Sequence, residues 1–416
     1  MKLVLEKIQS PIFLNRWFII ASSIALIGIF FSRAMISIGM IGIILIYFLN
    51  QGWKIKFFDR SGNLVLFFLT PIFFLYLIGV LWTDDYAYWS DRMQVKIPLL
   101  FLPLGFFAVK NILQRTSIDI VIALFISLCT ATALGSFIYY MFHYTEITES
   151  YKHAKTIPTI IEHIRYSLFL TIAFFASIQA YLHSSILKTK VQKNVVLGMG
   201  IFIVVFLHIL SIRSGLLALY ATGFVWILIK VFEKGNKKLL GLIPILIMFL
   251  FAMYWFVPSL HNKVNYMIRD INQFTTGKSV NNYSDGNRLL SMKIGVQVGM
   301  ESPWIGVGSG DVQQEMDHVY KTEYPEITSN NWLIPHNQFV YIFTALGFVG
   351  LFIFLACLIF PIFYKAVLTD VFCVAVLVSI YTSFLSESTL EVQQGIVLVS
   401  LLFGMAFIRI YSKPQV

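Results

Sequence analysis

Charged residues are scarce in this chain. Lys, Arg, Asp and Glu make up 12% of its 416 residues against 58% hydrophobic, and a soluble domain carries roughly twice that charged fraction. The scarcity excludes a globular domain with a fully watered surface. Cysteine is rarer still. Cys129, Cys357 and Cys373 each fall inside an apolar run, which excludes a disulfide framework and leaves packed thiols. No HExxH, DxD or clustered Cys/His pattern occurs in the segments expected outside the membrane, so neither a metal nor another cofactor is expected. The glycine run in GVGSGD, residues 306–311, lacks a preceding strand and a lysine and is not a nucleotide loop. No convincing internal repeat appears, which argues against a transporter, the rival class for a chain of this composition. The net charge of +10 then reports membrane topology rather than a nucleic-acid partner.

What the chain has in abundance is long apolar runs. Spans are expected near 17–32, 34–50, 63–82, 95–109, 117–141, 165–183, 195–212, 214–232, 239–258, 347–366, 370–386 and 394–412, about twelve in all. The expected architecture is therefore an all-α polytopic membrane protein, with residues 1–416 forming one integral domain. The spans at 95–109 and 370–386 are short, and WTDDYAYWSDR before the first of them reads as a polar turn with interfacial aromatics. The first run follows Lys7 and Arg16 and leads straight into a second, so no cleavable leader is expected.

Basic residues set the orientation. With the N-terminus inside, the inner loops carry Lys54, Lys56 and Arg60, then Lys110 and Arg115, then Lys188, Lys190 and Lys193. Further along they carry Lys230, Lys234, Lys237 and Lys238, then Lys365, and finally Arg409 and Lys413. The outer loops lean acidic. Both termini then lie in the cytoplasm. One long polar connection, 259–336, lies outside. It opens with a surface-helix pattern, HNKVNYMIRDINQFTTGKS, and continues as an amphipathic segment capped by Ser284 or Asp285, with Leu289, Leu290, Ile294 and Val298 on one face. Pro303 and the glycine run end that segment. Residues 337–345 extend the next span or form a short re-entrant piece.

The residues that can carry chemistry cluster at outer span ends. Arg213 sits between two spans with almost no loop, Arg165 begins another, and Arg288 opens the loop helix. A snorkelling arginine with its stem on apolar surface is the plainer account of each. Against it, basic residues are disfavoured at outer span ends. The functional account is a phosphate ligand, because guanidinium groups grip phosphate with paired donors and keep their charge. A lipid-linked diphosphate has its tail in the bilayer and its head at this level. The free amides of a span starting near Ser214 would add to such a site. His336, between Pro335 and Asn337, suits proton removal from a hydroxyl; a helix-anchoring imidazole is the alternative. His163 is a second-tier ligand contact, with a solvated loop histidine as its alternative. Asp311, after the glycine turn, would cap or orient a neighbour.

At these residues the chain resembles the O-antigen ligase family of integral membrane glycosyltransferases. The resemblance rests on SIRSGLLALYATG, on GNRLLSMKIGVQVGMESPWIGVGSGD, on PHNQFVYIFTALGFVGL and, more weakly, on YAYWSDRMQVKIPLLFLPLGFF. It implies a GT-C-like helical fold with a large periplasmic loop, a bacterial inner-membrane location and a metal-independent mechanism. It implies an undecaprenyl-diphosphate-linked glycan donor and a lipid A core or other glycan acceptor. Arg213 and Arg288, with Arg165 behind them, would bind the donor diphosphate, and His336 would act on the acceptor hydroxyl. Some members carry two adjacent histidines there, whereas this chain has one. Ligase, O-antigen or exopolysaccharide polymerase, and protein glycan transferase share this donor chemistry, and the residues do not separate them.

Overall fold

A computed structural model describes residues 8–55, 65–151, 156–235, 237–276 and 284–412. Lys56, Arg60 and Lys413, used above for topology, and Lys7 lie outside the described residues, as does the side chain of Ser284.

The described residues are mostly helical, and no strand occurs among them. The α-helices of nine or more residues are α1 (Pro11–Phe31), α2 (Arg33–Leu49), α3 (Thr70–Ile78), α4 (Tyr86–Val109), α5 (Arg115–Phe142), α6 (His163–His183), α7 (Lys190–Leu210) and α8 (Arg213–Lys234). After them come α9 (Leu242–Phe256), α10 (Pro258–Thr275), α11 (Ser284–Glu301), α12 (Val312–Glu323), α13 (Gln338–Ile359), α14 (Val371–Ser386) and α15 (Phe403–Tyr411). Ten helical segments among the described residues are long and apolar enough to cross a bilayer, and Arg33–Leu49 and Val371–Ser386 are shorter apolar helices. Together they correspond to the twelve apolar runs of the sequence.

The bundle has an inside and a lipid-facing outside. The α6 segment and the last span, Gln393–Tyr411, are mostly buried, and almost every residue of α14 is. The segment containing α9 buries none of its apolar residues, and Ile245, Met248, Phe251 and Trp255 stand exposed on it. A helix apolar all round and covered by no protein has hydrocarbon as its solvent. At the end of the bundle holding the C-terminus of α15, Arg409 pairs with Asp119 at 3.3 Å and with Asp370 at 2.6 Å, and Gln179 donates to Asp370. This brace ties α5, α6, α14 and α15 together in the apolar interior.

One expectation changes, and of the two alternatives for residues 337–345 the extension holds. WTDDYAYWSDR is not a turn: α4 starts at Tyr86, capped by the Asp85 carboxylate, which accepts from the Tyr88 amide at 2.9 Å. The run at 95–109 looked short because Pro98, Pro103 and the charged first turns interrupt its apolar pattern. The segment before the tenth span is its extension, joined to it across a kink. α13 breaks at Gly347, whose φ of 63° no helix allows. The loop at 303–308 fills the break. Val307 and Gly308 donate to the Thr344 and Ala345 carbonyls at 3.0 and 3.1 Å, while the Phe348 and Val349 amides donate to Pro303 and Trp304 at 2.8 and 3.2 Å. These bonds satisfy the backbone groups that a helix break strands in an apolar setting. Only glycine fits the crossing: a Cβ on Gly347 would meet Trp304 backbone at 2.3 Å, and one on Gly306 would meet Ala345 backbone at 2.3 Å.

Candidate active site

Arg213 is placed by a sharp reversal. α7 ends at Ser211, a left-handed residue with φ 54° whose hydroxyl donates back to the His208 carbonyl at 2.6 Å. Only Ile212 then separates the two helices. The first turn of α8 is locked onto α6, since Thr171 donates to the Gly215 carbonyl at 2.9 Å and a Cβ on Gly215 would lie 2.4 Å from that of Ser167. Ile212 offers no side chain to cap the first amides of α8. That end is left with the partial positive charge of an uncapped helix.

α11 carries the second arginine, and its start departs from expectation. The carboxylate that caps it is Asp270 of α10, which accepts from the Asp285 and Gly286 amides at 2.7 and 2.9 Å. Burial pushes the Asp270 carboxyl up while those two amides pull it down. Asp285 is thereby released from capping. It hydrogen-bonds the Arg213 guanidinium, and its Oδ1 lies 3.9 Å from Nη1 of Arg288. One carboxylate thus gathers two arginines. Lys263 of α10 adds a third cation, pushed down to about 8 by burial and by Arg213, with Asp285 opposing.

His336 is fixed to the same helix. Its amide donates to Ser291 Oγ at 3.2 Å, and that hydroxyl donates to the Arg288 carbonyl at 2.8 Å. Asn337 caps α13, accepting from Phe339 and Val340 at 2.9 and 3.1 Å, and donates to the Leu385 carbonyl. Nδ1 of His336 is buried and has no hydrogen-bond partner among the described residues. Burial and the Arg288 charge push the imidazole down to about 4, with Glu162 and the Ser386 carbonyl pulling the other way. The ring is therefore neutral at pH 7.

Arg213, Lys263, Asp285, Arg288 and His336 line one cavity of about 540 Å³, with His163 and Ser386 at its edge. Leu217, Ile271, Leu289, Met292 and Leu385 supply apolar wall. Three cations face one lining carboxylate. The arrangement can grip a strongly anionic head group, shelter an attached apolar chain, and present a neutral imidazole to a hydroxyl.

The structure separates the remaining sequence candidates. His163 lines the cavity half-exposed, 3.5 Å from Glu162. Arg165, on the next face of the same helix turn, points away. It pairs with Glu387 at 3.2 Å and lines an adjacent cleft. Asp311 lies elsewhere and orients a neighbour, its carboxylate accepting from the Asp84 and Asp85 amides at 2.8–3.1 Å. Lys263, Asp270, Asp285 and Ser291 contribute without having been singled out for this site. Asp285 was visible only as a helix cap, and the capping by Asp270 depends on two helices meeting.

Residues 197–355 match the family model described as O-antigen ligase. No curated protein matches the chain. The matched stretch contains Arg213, Lys263, Asp285, Arg288 and His336, while His163, Thr382 and Ser386 of the cavity's lining lie outside it. Through that segment the chain is similar to the O-antigen ligase family.

Proposed function

We propose that this protein transfers a preassembled glycan from undecaprenyl diphosphate to a sugar hydroxyl of lipid A core, at the periplasmic face of the bacterial inner membrane. The observation that carries the proposal is the single cavity in which Arg213, Arg288 and Lys263 converge beside His336. The basic loops opposite this end of the chain support a periplasmic site and cytoplasmic termini.

In this mechanism the diphosphate sits between Arg213 and Arg288, with Lys263 as a third contact. His336 takes the proton of the acceptor hydroxyl as its oxygen attacks the anomeric carbon. The bond from that carbon to the diphosphate oxygen breaks, and the electron pair leaves with undecaprenyl diphosphate. Attack opposite the leaving group inverts the anomeric centre. The cations stabilise the charge that grows on the leaving diphosphate, and general-base catalysis by one histidine is worth typically about 10²–10⁴-fold. A bound diphosphate also offsets the Arg288 charge on His336, which raises the basicity of the imidazole when substrate is present. No step requires a metal.

The test is transfer by Arg288→Ala and His336→Ala proteins of verified insertion. Each is expected to lose at least about 100-fold in rate, and wild-type rates would refute the assignment. The glycan profile of a deletion strain separates ligase from polymerase: core without O-chain follows loss of a ligase, and core with a single repeat follows loss of a polymerase.

A further inference from the structure

We propose that the cleft beside the donor cavity holds the phosphate- or carboxylate-bearing sugar head group of the acceptor lipid. The inference rests on the transferase reading above and names a second site for it. Transfer between two lipid-anchored molecules needs two pockets whose reactive ends meet, and the donor cavity supplies one.

The second cleft matches the first in volume, about 540 Å³, and is lined by Arg33, Arg92, Arg165, Gln94, Gln393 and Gln394. Two carboxylates also line it. Glu391 is already committed, with Lys96 at 2.7 Å on one oxygen and the Tyr76 hydroxyl at 2.7 Å on the other. Asp91 is exposed at the rim. Arg165 is paired with Glu387. Arg92 donates to the Glu391 backbone carbonyl at 3.1 Å and lies over the Tyr88 ring, 4.5 Å from its centroid, but among the described residues it pairs with no carboxylate, and its Nε is buried without a hydrogen-bond partner there. Arg33 is exposed and forms no ion pair among the described residues. Two guanidinium groups are thus uncommitted to carboxylates, which suits an anion. The Gln393 amide nitrogen already donates to the Arg33 carbonyl at 3.2 Å and to Ser37 Oγ at 2.9 Å, whereas the Gln94 carboxamide, with donors and an acceptor, suits sugar hydroxyls.

The two pockets share a wall. In the first turn of α6, His163 and Ile164 face the donor cavity and Arg165 faces the cleft. After α14 the chain does the same, with Ser386 on the donor side and Glu391–Gln394 on the cleft side. No histidine lines the cleft, so it holds a substrate and the chemistry stays with His336.

The test measures binding to purified protein in nanodiscs, using lipid A core, its dephosphorylated form, inorganic phosphate and an undecaprenyl diphosphate glycan. Arg33→Gln and Arg92→Gln are expected to weaken lipid A core binding at least about tenfold while donor affinity stays at the wild-type value. Dephosphorylation is expected to weaken binding to wild type similarly. Unchanged lipid A core affinity in both variants overturns the proposal. Loss of donor affinity instead also overturns it, and so does inorganic phosphate that binds as tightly as lipid A core. Arg288→Gln reports on the donor site separately: donor affinity untouched there refutes the transferase reading, whatever the Arg33 variants show.

Discussion

The acid limb of the pH–rate profile tests the base assignment most finely. Burial and Arg288 hold the His336 imidazole near 4, against about 6.5 for a free histidine. A difference of about 2.5 units corresponds to roughly 3 kcal/mol of preference for the neutral ring. The free enzyme's kcat/KM is then expected to stay flat from pH 7 down to about 5 and to fall as pH approaches 4. In the proposed donor complex, a diphosphate would place negative charge beside Arg288 and raise the imidazole pKa. The acid limb of kcat is therefore expected at higher pH than that of kcat/KM. The same shift has a stability consequence. The folded state disfavours the charged ring, so its contribution is present above the unfolded pKa of about 6.5 and is lost as pH falls toward 4. Steady-state transfer in proteoliposomes between pH 4 and 8 checks the order of the limbs. Glu387 is a second candidate for a limb in this range, because burial pushes its carboxyl up to about 6 against the pull of Arg165. Glu387→Gln removes any limb it causes. A kcat/KM limb near 6 that survives Glu387→Gln would refute the environment assigned to His336, and so would a kcat limb below that of kcat/KM.

Gly347→Ala should prevent the 303–308 loop from entering the helix break, because its Cβ would meet Trp304 backbone at 2.3 Å; detergent-extracted protein is expected to aggregate on size exclusion, and a monodisperse variant would contradict this. Asp311→Ala strands the Asp84 and Asp85 amides, costing about 1–3 kcal/mol, yet it should leave donor affinity at the wild-type value since Asp311 lies outside the cavity. Thermal unfolding and donor binding on one preparation separate the two effects. Glu391→Gln breaks the Lys96 pair, both of whose side chains are 1% exposed or less, and buried pairs lose about 3–5 kcal/mol when one partner goes. Replacing Lys96 by Met at the same time should recover part of the lost melting temperature, and no recovery would argue against an uncompensated lysine as the cause.

The apolar segments were legible from sequence because a bilayer forces each crossing to be long and apolar. Arg213 and His336 stood out because each sits at a span end, and Arg288 because it opens an amphipathic helix in the one long outer loop; the structure brings the three to one cavity. Arg165 shows the limit. Its place in sequence gives its height in the bundle but not its side, which is set by Glu387, 222 positions away. Asp285 shows another limit, since its local pattern is that of a helix cap until Asp270 arrives from α10 to take the role. The start of α4 was hidden because Asp84 and Asp85 look like a turn until Asp311, from beyond the glycine run, pins their amides. In each case a non-local partner settles what the local pattern leaves open.

The central claim is that one cavity combines a diphosphate grip with the base. Its most direct measurement is glycan transfer from a defined undecaprenyl diphosphate donor to lipid A core by purified wild-type, Arg213→Ala, Arg288→Ala and His336→Ala proteins, with donor affinity measured on the same samples. The account predicts that both arginine variants lose donor affinity and that His336→Ala binds donor normally but transfers at least about 100-fold more slowly. Wild-type transfer by His336→Ala, or undiminished donor affinity in both arginine variants, would contradict it.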